Sequence, residues 1–171
     1  MPIKTPRELF VHMLSNLRQG TERATKLVQE FTQSVQDTDI KEALEARIFV
    51  SEKILDTLDQ VFKIIGEQPV KVSGRLFDAV VEDFRAELAE IQNPTVRNLY
   101  ILAKANQVLH LRIAEYRTLV AAADLSGHFS VGVLLETCLA EKLVFVERTH
   151  RLLQHLTATK MAEKIAARSV A

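Results

Sequence analysis

A chain of 171 residues fits one domain with a sizeable core, and no second domain is required. Its 22 basic residues balance 22 acidic ones, which removes the global electrostatic footprint of a nucleic-acid binder or a polybasic membrane protein. Apolar residues make up 47% of the chain at helical rather than strand spacing, and with five Gly, four Pro and no Trp the class is all-α.

The first residues, Met1-Pro2-Ile3-Lys4, lack the charged-then-apolar layout of a signal peptide and lead into a capping box, Thr5-Pro6-Arg7-Glu8, with proline at the first helical position. The helix opened there carries Leu9, Phe10, Met13, Leu17, Ala24, Leu27, Val28, Phe31 and Val35 to about residue 36. Gly20 lies inside it at a cost in helix propensity, which marks a close approach. The turn Gln36-Asp37-Thr38-Asp39 offers N-cap side chains for a second helix, Ile40 to Ile65, that stops at Gly66. So short a turn makes the pair antiparallel. A polar link then leads from Glu67-Gln68-Pro69 to Ser73-Gly74 and a shorter amphipathic helix with Leu76, Phe77, Val80, Val81, Phe84, Leu88 and Ile91. Its roughly 18 residues would span about 27 Å, a crossover length that lets the long helices on either side run parallel.

Asn93 caps the third long helix and Pro94 takes its first position. No Gly or Pro interrupts it before Gly127, and Leu99, Leu102, Asn106, Leu109, Ile113, Tyr116 and Val120 share one face. The fourth long helix begins near Ser130 with Val133, Leu134, Thr137, Leu143, Val144, Val146, Leu152, Leu153 and Leu156. Cys138 is the single cysteine, so it cannot form an intramolecular disulfide, and its apolar setting marks a core residue rather than a reactive thiol. From Thr157 the pattern thins. Residues 5–156 therefore read as one helical bundle and 157–171 as a helical extension, or a tail that docks on a second subunit. No stretch reaches the ~20 apolar residues of a membrane span, and a cytoplasmic protein without membrane or nucleic-acid partners is expected. Arg75, Arg85, Arg97 and Lys104 are interspersed with acids, as on solvated helix faces.

Several stretches together resemble the YciF-like family of bacterial ferritin-like proteins. They are Glu8-Leu9-Phe10-Val11-His12-Met13-Leu14, Leu58-Asp59-Gln60-Val61-Phe62, Ile65-Gly66-Glu67-Gln68-Pro69, His110 with Ile113-Ala114 and Tyr116, Leu134-Leu135-Glu136-Thr137, and Glu141-Lys142. The resemblance covers about residues 5 to 156. It implies a ferritin-like four-helix bundle with a short extra helix in the crossover between helices two and three, a homodimer, and an association with stress responses. It also implies inward-facing Glu, Asp or His residues that hold two metal ions. Here the chain departs from the pattern. The family's acidic position in helix one falls on Thr21, helix two has Phe49 and Glu52, helix three reads Leu109-His110-Leu111-Arg112, and helix four has Leu139-Ala140-Glu141 and then Phe145.

The chemistry points the same way. Two divalent ions need a carboxylate from each of two helices and a Glu-x-x-His pair from each of the other two, whereas the midpoints of the long helices fall near Thr21, Glu52, Leu109 and Leu143. The one Glu-x-x-His, Glu147 to His150, lies among Arg148 and Arg151 and reads as a solvated pair. A mononuclear iron or manganese site from Glu52, His110 and Glu141 is the alternative, with Arg112 one helical step away to repel a cation. In the favoured reading no cofactor is expected. Phe49, Leu109 and Phe145 fill the former centre, Thr21, Arg112 and Ala140 no longer ligate, and Glu52 or Glu141 pairs with Arg112 or His110. Asn106 and Tyr116 then read as core polar residues, and the expected function is non-enzymatic, structural or stress-associated, acting through assembly or an unidentified partner. Two other readings stay open: a metal-dependent redox protein, and a binding module with an apolar cavity near Leu109.

Overall fold

Caps written into the sequence set the helix starts. In the computed structural model, which describes residues 3–169 and side chains through residue 158, α1 spans Pro6–Ser34. Thr5 Oγ1 accepts from the Glu8 amide at 3.1 Å while Glu8 accepts from the Thr5 amide at 3.0 Å. The helix stops before residue 36 because Val35 is already extended, and Asp37 caps α2, Thr38–Ile65, by accepting from the Ile40 amide at 3.1 Å. Gly66, at φ 69°, closes α2 in the left-handed conformation that favours glycine. The crossover helix α3 is Arg75–Glu90, α4 is Pro94–Leu125, and α5 is Phe129–Ser169. Residues 157–169 continue α5, and their side chains beyond residue 158 lie outside the described residues, as do residues 170 and 171.

Asn93 Oδ1 accepts from the amides of both Thr95 and Val96, at 3.0 and 3.1 Å. Asn93→Ala is expected to cost about 1 kcal/mol in urea unfolding, because two helix-end donors lose their partner.

Ion pairs fix the topology. Arg7 at the start of α1 bonds Glu67 just past α2 (Nε–Oε1 2.8 Å), so α1 and α2 are antiparallel. The crossover helix then runs in the direction of α1, with Arg23 paired to Asp78 and Glu30 to Arg85 further along. Lys104 pairs with Asp83 at 3.0 Å and Glu87 at 2.8 Å, which sets α4 running back against α3 and parallel to α2. The long helix α5 returns. Around the bundle α1 touches α2 and α4, while α5 touches α4 and α2. This is the connectivity of a ferritin-like bundle. The crossover helix is bound by an aromatic cluster, in which Phe84 is tilted against Phe31 (centroids 4.2 Å) and stacked on Tyr100 (5.5 Å). Among the described residues there is no strand, and no helix is long and apolar enough to cross a membrane.

The core falls into two apolar halves. One, by the start of α1 and the end of α2, holds Leu14, Leu17, Leu58, Val61, Tyr116, Leu119 and Leu135, and the other, by the α1–α2 turn, holds Val28, Phe31, Ile40, Leu44, Phe84, Ile101 and Leu102. Between them lies a polar waist.

Candidate functional site

The waist is built from residues that fall in register with the apolar rows. Along α2 the buried row is Leu44, Arg47, Ser51, Ile54 and Leu58; along α5 it is Leu135, Cys138, Lys142, Phe145 and Thr149. The middle of α1 supplies Gly20, Thr21 and Thr25, and α4 supplies Leu109, Arg112, Ile113 and Tyr116. Three cations are therefore buried together, with Arg47 5%, Arg112 3% and Lys142 4% exposed.

Arg112 lies flat against the backbone of Gly20. A Cβ on Gly20 would stand 1.6 Å from Nη2 and 2.2 Å from Nη1, so the mid-helix glycine is the space this guanidinium occupies. Its Nη1 bonds Glu115 Oε2 at 2.5 Å, one turn along α4, and its Cζ is 5.8 Å from the centre of the Phe77 ring. Asn16 donates to the other oxygen of Glu115 at 3.4 Å. Burial lowers the Arg112 pKa and raises that of Glu115, and in both residues it outweighs the mutual attraction. Beside the pair a cavity of about 70 Å³ opens toward Ser73 and Gly74.

Arg47 reaches from α2 toward the diagonal helix α4, where Nη1 donates to the Ala105 carbonyl at 3.4 Å. Burial alone pulls its pKa to about 10. The Lys142 ammonium enters from α5 and, among the described residues, has no hydrogen bond or ion pair. Burial first, and then the charge of Arg47, pushes its pKa down to about 7. Cys138, one turn away, is buried, and its thiol is pushed up to about 11, which keeps it an inert core residue. The Tyr116 hydroxyl, buried beside Thr21, makes no hydrogen bond of normal geometry, and its pKa is raised by burial. Thr21 donates instead to the Leu17 carbonyl at 2.8 Å.

The expected positions separate into two groups. Thr21, Leu109, Arg112 and Phe145 are buried, whereas Phe49 is 58% exposed with Lys53 over its ring at 4.4 Å, and Ala140 is exposed. Phe49 thus does not fill the centre. The inward row of α2 passes through residues 47 and 51, which turns residues 49 and 52 to the outer face. Glu52, His110 and Glu141 are all exposed, so the structure does not gather them as a mononuclear site, and the partner of Arg112 is Glu115 rather than Glu52 or Glu141. His110 instead contacts its own helix, with Nδ1 2.9 Å from the Asn106 carbonyl. Glu147 and His150 are exposed, and Glu147 pairs with Arg151 at 3.1 Å. Leu99, placed on the buried face of α4 by its spacing, is 44% exposed, because that face is centred on Ile101, Ala105, Leu109 and Arg112.

Arg47, Ser51 and Lys142 were not singled out as core residues from the sequence, because polar residue types do not announce burial. Their signal was spacing, since each stands three or four residues from apolar neighbours on both sides. The ferritin-like fold implies a di-metal centre at this level, and the donor set does not fit one. The waist offers one carboxylate, already bonded to Arg112, against three cations, and no cluster of three or more His, Cys, Asp or Glu able to hold a metal occurs among the described residues.

Known proteins share this architecture. Residues 5–166 match the family described as Domain of unknown function (DUF892). Protein YciF of Escherichia coli strain K12 is 22% identical over 143 residues, covering 83% of this chain and 86% of that protein. The crystal structure of the E. coli stress protein YciF gives a TM-score of 0.86 at 21% identity over 91% of this chain and 99% of that one. YcfI from Rhodopseudomonas palustris, provisionally described as a structural protein, gives 0.83 at 28% identity over 86% and 94%. A ferritin-like, diiron-carboxylate protein from Bacillus anthracis strain Ames gives 0.68 at 17% identity over 88% and 99%. What these proteins share with the chain is a ferritin-like all-α fold.

Proposed function

The chain belongs to the family described as Domain of unknown function (DUF892), and on that premise we propose that it is a non-enzymatic ferritin-like protein, structural or stress-associated, acting through its assembly or a protein partner. One observation carries the reading. Where a di-iron bundle concentrates carboxylates, this chain buries Arg47, Arg112 and Lys142. Divalent cations need anionic oxygens, and three protein cations at the same level oppose their entry. The descriptions of YciF as a stress protein and of YcfI as a structural one support the wider role.

The reading includes a homodimer in the cytoplasm, with no metal cofactor. Apolar side chains left on the outside, such as Phe49, Val133 and Val144, supply surface for a second copy or a partner. Sedimentation at micromolar concentration should give twice the mass of one chain.

Metal content tests the core of the proposal. Expressed in iron- and manganese-supplemented medium, the protein is expected to retain far less than one metal per chain by elemental analysis. Aerobic addition of ferrous iron should give no ferroxidase turnover. One or two metals per chain would overturn the reading.

A further inference from the structure

Arg112 and Glu115 form a matched pair, so the net charge of the waist rests on Arg47 and Lys142. Arg47 has only a neutral carbonyl oxygen at 3.4 Å, and Lys142 has no hydrogen bond or ion pair among the described residues. Buried charges are retained when a counter-charge meets them. The groups around Lys142 do not supply one. From α2 comes Arg47; from α4, Arg112 with its own carboxylate; and from α5, the Cys138 thiol and the exposed Glu141.

We propose that Arg47 and Lys142 bind a compact monovalent anion of the chloride or nitrate class at the bundle centre, with Ser51 as an additional hydroxyl donor. The size follows from the surroundings, because Leu109 and Tyr116 are fully buried and Phe145 nearly so. A large phosphate ester would not fit between packed helices, and a divalent anion would surrender far more hydration. The titration of Lys142 agrees with the site: an anion beside it raises its proton affinity, so binding near pH 8 takes up a proton. This site goes beyond the functional reading above and makes no use of assembly.

Thermal unfolding of the full chain, titrated with sodium chloride or sodium nitrate against sodium gluconate at constant ionic strength, tests it. Wild type should show a saturable rise in Tm with the compact anions, with an apparent affinity that weakens up to about tenfold per pH unit between pH 7 and 8.5. Lys142→Met, which removes a buried charge and so should fold, is expected to lose the response, and Arg47→Met should weaken it. An equal rise in all three proteins, a non-saturable rise, or an affinity unchanged with pH would overturn the proposal. A metal-free chain without anion dependence would lose this site and keep the functional reading.

Discussion

Gly20→Ala is expected to destabilise the protein by about 2–4 kcal/mol, the reverse of what the same change does in an ordinary helix. An exposed helical Gly→Ala gains about 1 kcal/mol in propensity. Here the added carbon would lie 1.6 Å from Nη2, 2.2 Å from Nη1 and 2.3 Å from Cζ of Arg112, so the guanidinium has to leave. Overpacking a core costs about 1–3 kcal/mol, and separating a buried ion pair adds to it, because Glu115 would lose its partner in a partly desolvated position. Urea unfolding of a double-mutant cycle isolates the cause. In an Arg112→Leu background, Gly20→Ala should be neutral or slightly stabilising. Equal destabilisation in both backgrounds would show that the strain lies in the α1 backbone and not in the contact with Arg112.

That contact also shows what could be read before any coordinates. Gly20 inside an apolar helix announced a close approach, since a helix keeps a glycine at its centre only when something occupies the space of a side chain. The sequence had no means of naming the occupant, because Arg112 is 92 positions away and approaches through the packing of α4 on α1. Capping was legible for the opposite reason. Thr5, Asp37 and Asn93 act on amides two or three residues away, so their geometry is contained in the local chain. The crossover was legible as well: a helix of that length between Gly74 and Asn93 has one economical path, along the outside from one end of the bundle to the other.

The site was legible only in part, and the errors share a mechanism. Expecting Phe49 and Glu52 at the bundle centre is a rotation error on α2. With 100° per residue, an inward row through residues 47 and 51 sends position 49 to the opposite side. Phe49 is placed at the centre only through the family's helix-two pattern, whereas the inward row of α2 itself carries Arg47. Burial in this bundle follows the three-and-four spacing of the row even where the residue type argues against it. On α5 the same error turned Ala140 and Glu141 inward in place of Lys142. The absence of inward carboxylates at the expected positions could be read from residue types. The burial of Arg47 and Lys142 at that level could not, since it depends on helix rotation.

Lys142→Met is expected to raise stability at pH 7 and to flatten its dependence on pH up to 8.5. The lysine has a folded pKa of about 7 against an ordinary value of 10.5, so the unfolded chain holds the proton more tightly. Between those values the unfolded state binds more protons than the folded one, and stability rises with pH. Below pH 7 the full penalty of burying the amine applies, about 4–5 kcal/mol at about 1.4 kcal/mol per pH unit. The thiol of Cys138 limits the useful window from above. Its folded pKa of about 11 exceeds the ordinary thiol value, so the unfolded chain releases its proton first and stability is lost above about pH 8.5. Measured between pH 7 and 8.5 in dilute gluconate buffer, wild type should gain about 2 kcal/mol and Lys142→Met close to none, so the difference cancels every other titrating group. Parallel curves would mean that the ammonium is not desolvated at the bundle centre. A steeper curve for the variant would place the pH dependence elsewhere. The expected result would make this buried amine a cost that the fold carries, which is the condition under which a counter-charge at the waist acquires a use.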